Sequence, residues 1–174
     1  MRYFLSAILF LSIVVRTEAA TVDTVNIYSK VMQKEIKCVV IKPTIVQDEN
    51  ISLPVVYLLH GHGGWYSNWI IRVPELKDYA DQYKLMIVCP DAANSWYFDS
   101  PIDSSLRYET FISKEVPDYI ESHYPAIKNR NARAITGLSM GGHGGLFLGF
   151  RHANFYGACG SMSGGVDIRP FKKN

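Results

Sequence analysis

The sequence predicts an α/β fold on a mostly parallel sheet, and three observations carry the prediction. Short, near-continuous apolar runs recur at residues 55–60, 85–89 and 132–137, with a weaker one at 157–162. Runs that are apolar on both faces are expected of strands covered by helices from both sides. Between two of these runs, Tyr108, Phe111, Ile112, Val116, Tyr119 and Ile120 recur at spacings of three and four, as one buried helix face requires. Finally, 174 residues that are 48% hydrophobic and 20% charged describe a globular domain with a real core, not a fibre or a disordered tail. Strand and helix thus alternate along the chain.

In chain order, residues 1–19 read as a secretory signal peptide. Arg2 gives a positive start, residues 4–15 are apolar apart from Ser6 and Ser12, and the small residues Ala19 and Ala20 close the segment. The apolar stretch is too short to span a bilayer comfortably, and no cysteine follows it directly. The mature chain is therefore expected to be secreted or periplasmic, without a stable membrane anchor. Residues 22–28 and 35–41 read as paired strands around a turn at 29–34, and 43–54 as a Pro-bounded surface loop. Pro117 is expected to kink the helix of residues 108–120. The strand at 157–162 runs into a glycine turn and is expected to present an exposed edge.

Lys and Arg number 18 against 16 Asp and Glu, a net charge of +2, so no strong field draws nucleic acid. Cys38, Cys89 and Cys159 lie far apart in predicted core strands, without metal-ligand spacing. They read as three buried free thiols, a bridge among them being the alternative.

The chemistry concentrates at Gly137-Leu138-Ser139-Met140-Gly141, between the run at 132–137 and the helical Leu146-Phe147-Leu148. A serine between glycines at this spacing fits a tight strand-to-helix turn that pushes its hydroxyl outward, beside the positive end of the next helix. Ser139 is the candidate nucleophile. A second motif, Leu59-His60-Gly61-His62-Gly63-Gly64, ends the first core strand. Acyl transfer needs two backbone N–H donors aimed at a developing oxyanion. The amide of Met140, after the nucleophile, and that of His62, in the glycine-rich loop, are placed to supply them. His60 and His62 alternate as strand-borne metal ligands do, but no third ligand stands at suitable spacing, so neither metal nor cofactor is expected. Local hydrogen bonding that shapes the loop is the plainer role for both.

Together with Pro90-Asp91, Asn94-Ser95-Trp96-Tyr97 and Tyr108-Glu109-Thr110, these motifs resemble the α/β-hydrolase esterases of the esterase D group over residues 25–165. That group includes S-formylglutathione hydrolase, the antigen 85 acyltransferases, and feruloyl and acetyl-xylan esterases. The resemblance implies an α/β-hydrolase fold with Ser139 as nucleophile and the Met140 and His62 amides as oxyanion hole. It places Trp96 and Tyr97 at the mouth of the site and gives Glu109 a structural role at a helix start. It implies a serine carboxylesterase that works through an acyl-enzyme on a small-molecule or carbohydrate ester. Trp65, Tyr66 and Trp69 suit a bulky or sugar-linked substrate.

One departure stands out. The family's acid and histidine follow the serine on later strands, whereas here only Asp167 and the helix-borne His143 and His152 follow Ser139. His60, His62 and His123 precede it, and Asp91 is read as a packing or loop residue. Residues 20–174 are accordingly expected to be the front part of a larger domain, lacking its C-terminal strands and helices and turning over little on their own. Acyl transfer to a sugar hydroxyl, or an inactive esterase-like binding domain, are the alternatives.

Overall fold

The structure, a computed structural model, describes residues 19–47, 51–167 and 169. Apart from Ala19, the predicted signal peptide lies outside the described residues. Six strands form one sheet in the order β1-β2-β4-β3-β5-β6. β1 (Thr21–Ser29) and β2 (Lys34–Lys42) are the predicted hairpin, in antiparallel register from Thr21 opposite Lys42 to Ser29 opposite Lys34. β2 pairs antiparallel with β4 (Met86–Pro90). β3 (Val55–Leu59) lies parallel between β4 and β5 (Arg133–Gly137), and β6 (Ala158–Cys159) adds a parallel edge to β5.

Successive strand residues point to opposite faces, so the apolar runs supply two cores at once. Val39, Ile41, Leu58, Ile87 and Cys89 face one side and pack with Leu76 and Ala80 of α2 (Leu76–Tyr83). Val40, Tyr57, Leu59, Val88 and Ile135 face the other. There they meet Phe111, Ile112, Val116 and Ile120, and also Met140 and Leu148 of α5 (Met140–Arg151). Each such buried side chain contributes about 1.5–3 kcal/mol, which makes the sheet a stiff platform for the loops at its ends. α1 (Asn68–Arg72) leads into α2 on the first face, where Trp69 and Ile70 pack against the core.

The helix expected at 108–120 is continuous in sequence but changes pitch just before Pro117. It comprises α3 (Tyr108–Thr110), a π-helical turn (Phe111–Glu115) and α4 (Val116–His123). Pro117 sits in the first turn of α4, where its missing N–H is accommodated by the widened turn just before it. The turn also aims Glu115 at the β1–β2 hairpin, where its carboxylate accepts hydrogen bonds from Ser29 Oγ (2.6 Å), Lys30 N (2.9 Å) and Val31 N (3.1 Å).

The strand expected at 157–162 shrinks to two residues, and both are exposed. Gly157, Gly160 and Ser161 flank them and offer little to pack. Cys159 is consequently exposed rather than buried, a correction to the sequence reading; all three cysteines are free thiols. Cys38 and Cys89 face opposite sides of the sheet, which prevents their pairing.

Candidate functional site

β3 and β5 run side by side with Leu59 opposite Gly137, so the loops that follow them leave the sheet together. That juxtaposition builds the site. A methyl group on Gly137 would stand 2.5 Å from Leu59 O, and one on Gly141 would strike the same carbonyl as well as His60 O at 2.7 Å. Glycine alone lets the β5–α5 turn come this close to β3. Between the two glycines Ser139 adopts φ 55° and ψ −114°, a backbone conformation that costs an L-residue about 1–3 kcal/mol. Backbone bonds hold it there: Ser139 N–H to Met162 O (2.8 Å), Gly141 N–H to Leu138 O (2.8 Å) and His143 N–H to Ser139 O (2.9 Å). Ser139 is exposed while Met140, the next residue, is fully buried. The serine therefore stands out of the surface at the N-terminus of a 12-residue helix, whose dipole favours negative charge there.

Beside it opens a cleft of 290 Å³. The loop from His60 to Gly64 forms one wall, Leu138 and Ser139 another, and Asn68, Trp69 and Arg72 of α1 a third. A methyl on Gly61 would lie 3.6 Å from Ser139 Cβ, so loop and serine are in near contact. Among the described residues the backbone N–H groups of His62 and Met140 have no acceptor. Two uncommitted donors next to one exposed hydroxyl can bind an oxyanion.

The loop owes its shape to side chains. His60 is 2% exposed; its Nε2 accepts from Ala92 N–H (3.0 Å), so its Nδ1–H donates to Gly61 O (2.8 Å). Burial holds this imidazole below the ordinary histidine pKa. Asp91 Oδ1, 3.8 Å from Nε2, accepts instead from Ala93 N–H (2.9 Å), which is the loop-shaping role read from the sequence. Gly63 N–H donates to Asn94 Oδ1 (2.7 Å), and Trp69 Nε1–H to Leu59 O (3.0 Å), which sets α1 over the cleft.

Tyr97 departs from the sequence reading. It is fully buried, its hydroxyl donates to His60 O (2.8 Å), and its ring lies against Gly144, so it braces the loop from beneath instead of lining the mouth. Trp96 also stands outside the cleft lining; it is half-buried and packs edge-on against the His143 ring at 5.6 Å. The cause is local: both residues have positive φ, 53° and 64°, which turns the chain so that the aromatic pair points inward. Asn68 and Arg72 were missed by the sequence reading. Their spacing of four, just after a glycine-rich loop, is the signal that places them on one helix face with Trp69.

The remaining histidines serve elsewhere. His152 Nε2 (3.1 Å) and Arg151 Nε (2.8 Å) bind Glu109 Oε1, clamping α3 to the far end of α5, so Glu109 is structural. His123 stacks on Tyr119 at 4.1 Å. His143 stacks on Phe147 at 5.6 Å, with Nδ1 3.1 Å from Gly165 O. Among the described residues Ser139 Oγ makes no hydrogen bond.

Comparison with known proteins locates this arrangement. The model of the Esterase family matches residues 29–171. An acetyl esterase of Caldicellulosiruptor saccharolyticus is 31% identical over 143 residues, covering 76% of this chain and 52% of its own length. A diacylglycerol acyltransferase/mycolyltransferase Ag85B of Mycobacterium intracellulare is 30% identical over 123 residues, 66% of this chain and 37% of its own length. The solved structure of a ferulic acid esterase superposes with a TM-score of 0.70 at 34% identity, covering 79% of this chain and 57% of that one. The chain thus spans about half the length of the acetyl esterase and ferulic acid esterase it matches.

Proposed function

The chain belongs to the Esterase family, and from that premise we propose that Ser139 is the nucleophile of a serine carboxylesterase of the α/β-hydrolase fold. The observation that carries the reading is the strained, exposed Ser139 at the junction of β5 and α5, facing a cleft with two uncommitted amides. Ser139 Oγ attacks the ester carbonyl carbon, and the N–H groups of His62 and Met140 receive the oxyanion. Collapse breaks the carbon–oxygen bond to the alcohol and leaves the acyl group on Oγ. Water then attacks that carbonyl, releases the carboxylic acid and restores the serine hydroxyl. The Oγ proton passes to a base and from it to the leaving alkoxide. Among the described residues no imidazole hydrogen-bonds to Ser139 Oγ, and His60 is committed to Ala92 N–H and Gly61 O, so we assign the base and its orienting carboxylate to groups outside this arrangement.

The substrate is a small-molecule or carbohydrate ester, acetyl or feruloyl esters on carbohydrate among them. Trp69 in the cleft supports this, as do relatives named acetyl esterase and ferulic acid esterase. The charge pattern of residues 1–19 supports export to the periplasm or beyond, and among the described residues no helix is long and apolar enough to cross a membrane. The test is hydrolysis of aryl acetates and feruloyl esters by the full-length protein, together with fluorophosphonate labelling. Activity and label both vanish in Ser139→Ala if the reading holds; equal activity in that variant overturns it.

A second reading, acyl transfer to a sugar hydroxyl, is favoured by the acyltransferase named among the relatives. The same acyl-enzyme is then resolved by an alcohol, and product analysis with a sugar acceptor separates the two. Absence of fluorophosphonate labelling in folded protein favours an inactive binding domain instead.

A further inference from the structure

The cleft beside Ser139 carries a charge that hydrolysis of a neutral ester does not need. Among the residues that line it there is no Asp or Glu, and Arg72 is the one Lys or Arg. Arg72 is exposed and makes no ion pair or hydrogen bond among the described residues. Its place is not incidental. The Trp69 indole is anchored to Leu59 O, Asn68 Oδ1 accepts from Trp65 N–H (3.0 Å), and Arg72 lies three and four residues further along the same helix face. α1 thus brings Arg72 to the wall of the cleft, with no carboxylate on the cleft walls to neutralise it. A planar guanidinium with five fixed donors matches a carboxylate in bidentate fashion.

We propose that Arg72 is a specificity-determining residue that selects esters bearing a carboxylate, on the acyl or the alcohol arm. The proposal rests on the esterase reading of Ser139. Arg72 does not touch the reacting bond; it captures the far end of the substrate and so orients the carbonyl toward Ser139. The helix dipole at Ser139 and the charge of Arg72 act in the same direction, since both attract an anion.

The experiment uses calorimetric titration of the full-length Ser139→Ala protein, which binds without turnover. Two matched pairs separate the arms: phenyl hemisuccinate against phenyl butyrate for the acyl side, and 4-acetoxybenzoate against its methyl ester for the alcohol side. One acid of the two pairs should bind about fivefold more tightly than its neutral partner, a modest preference because the cation is solvent-exposed. Added salt weakens that preference, Arg72→Gln brings the ratio to one, and Arg72→Lys retains part of it. Equal binding within both pairs, undetectable binding of both acids, or a preference that survives Arg72→Gln overturns the proposal. Fluorophosphonate labelling of the unsubstituted protein keeps the two readings apart. Label without acid preference sinks the role of Arg72 alone; acid preference without label sinks the esterase reading and leaves an anion-selective cleft.

Discussion

The two loops that meet at Ser139 are held by opposite means. The β5–α5 turn is fixed by what is missing: Gly137 and Gly141 leave room for the carbonyl of Leu59, and only backbone bonds span the turn. The β3 loop is fixed by what is present, namely the His60 imidazole, the Asn94 amide and the Tyr97 hydroxyl. A turn made by exclusion fails when atoms are added, whereas a loop made by bracing fails when atoms are removed or change charge. The proposed nucleophile thus sits on a turn held without a titratable side chain, and one proposed oxyanion donor, His62, on a loop that depends on one.

The largest break in this contrast should come from Gly141→Ala. Its methyl meets backbone carbonyls that cannot swing away, so a loss of about 3 kcal/mol or more in urea unfolding is expected, or failure to fold. His60→Phe keeps a planar aromatic ring but strands Ala92 N–H in a buried position, and should cost about 2 kcal/mol or more by the same measurement. Asn94→Ala frees an exposed Gly63 N–H and should cost about 1 kcal/mol.

Acid sharpens the contrast without mutation. Burial depresses the His60 pKa below its ordinary 6.5, so above that value the folded and unfolded states are both neutral and stability is complete. As pH falls below 6.5 the unfolded chain takes up the proton first, and stability declines until the folded-state pKa is passed. Urea midpoints measured across this range should fall with pH, and less steeply in His60→Phe. His143, also depressed by burial, accounts for a remaining slope. A His60→Phe protein with the full original slope would remove His60 from the explanation.

Much of this architecture was legible because it rests on periodicity and on residues with narrow conformational roles. The runs at 55–60, 85–89 and 132–137 are apolar on both faces, and the sheet buries them on both faces. Gly137, Ser139 and Gly141 announce a turn that few other residue types can make. The aromatic pair was less legible: the family resemblance sets Trp96 and Tyr97 at the mouth of the site, but their positive φ values carry no residue-type signal, since aromatics rarely adopt them. α2 was missed because it buries only Leu76 and Ala80, too few for a clear apolar stripe, and α1 is barely one turn long. The strand at 157–162 was overestimated since edge position, unlike hydrophobicity, is a property of the assembled sheet. Arg72 illustrates the same limit, because a cation becomes a site residue only through what the fold places opposite it.

The edge position of β6 also equips the molecule with a built-in gauge. Of the three thiols, Cys159 faces water, while Cys38 and Cys89 are enclosed on opposite sides of the sheet, with burial pushing Cys89 up to about 12. A chromogenic disulfide reagent should therefore titrate one sulfur in the folded chain and all three after denaturation. Its slow phase then times the opening of the sheet from either face, and a dye placed on Cys159 reports from the flank of α5 without entering the cleft.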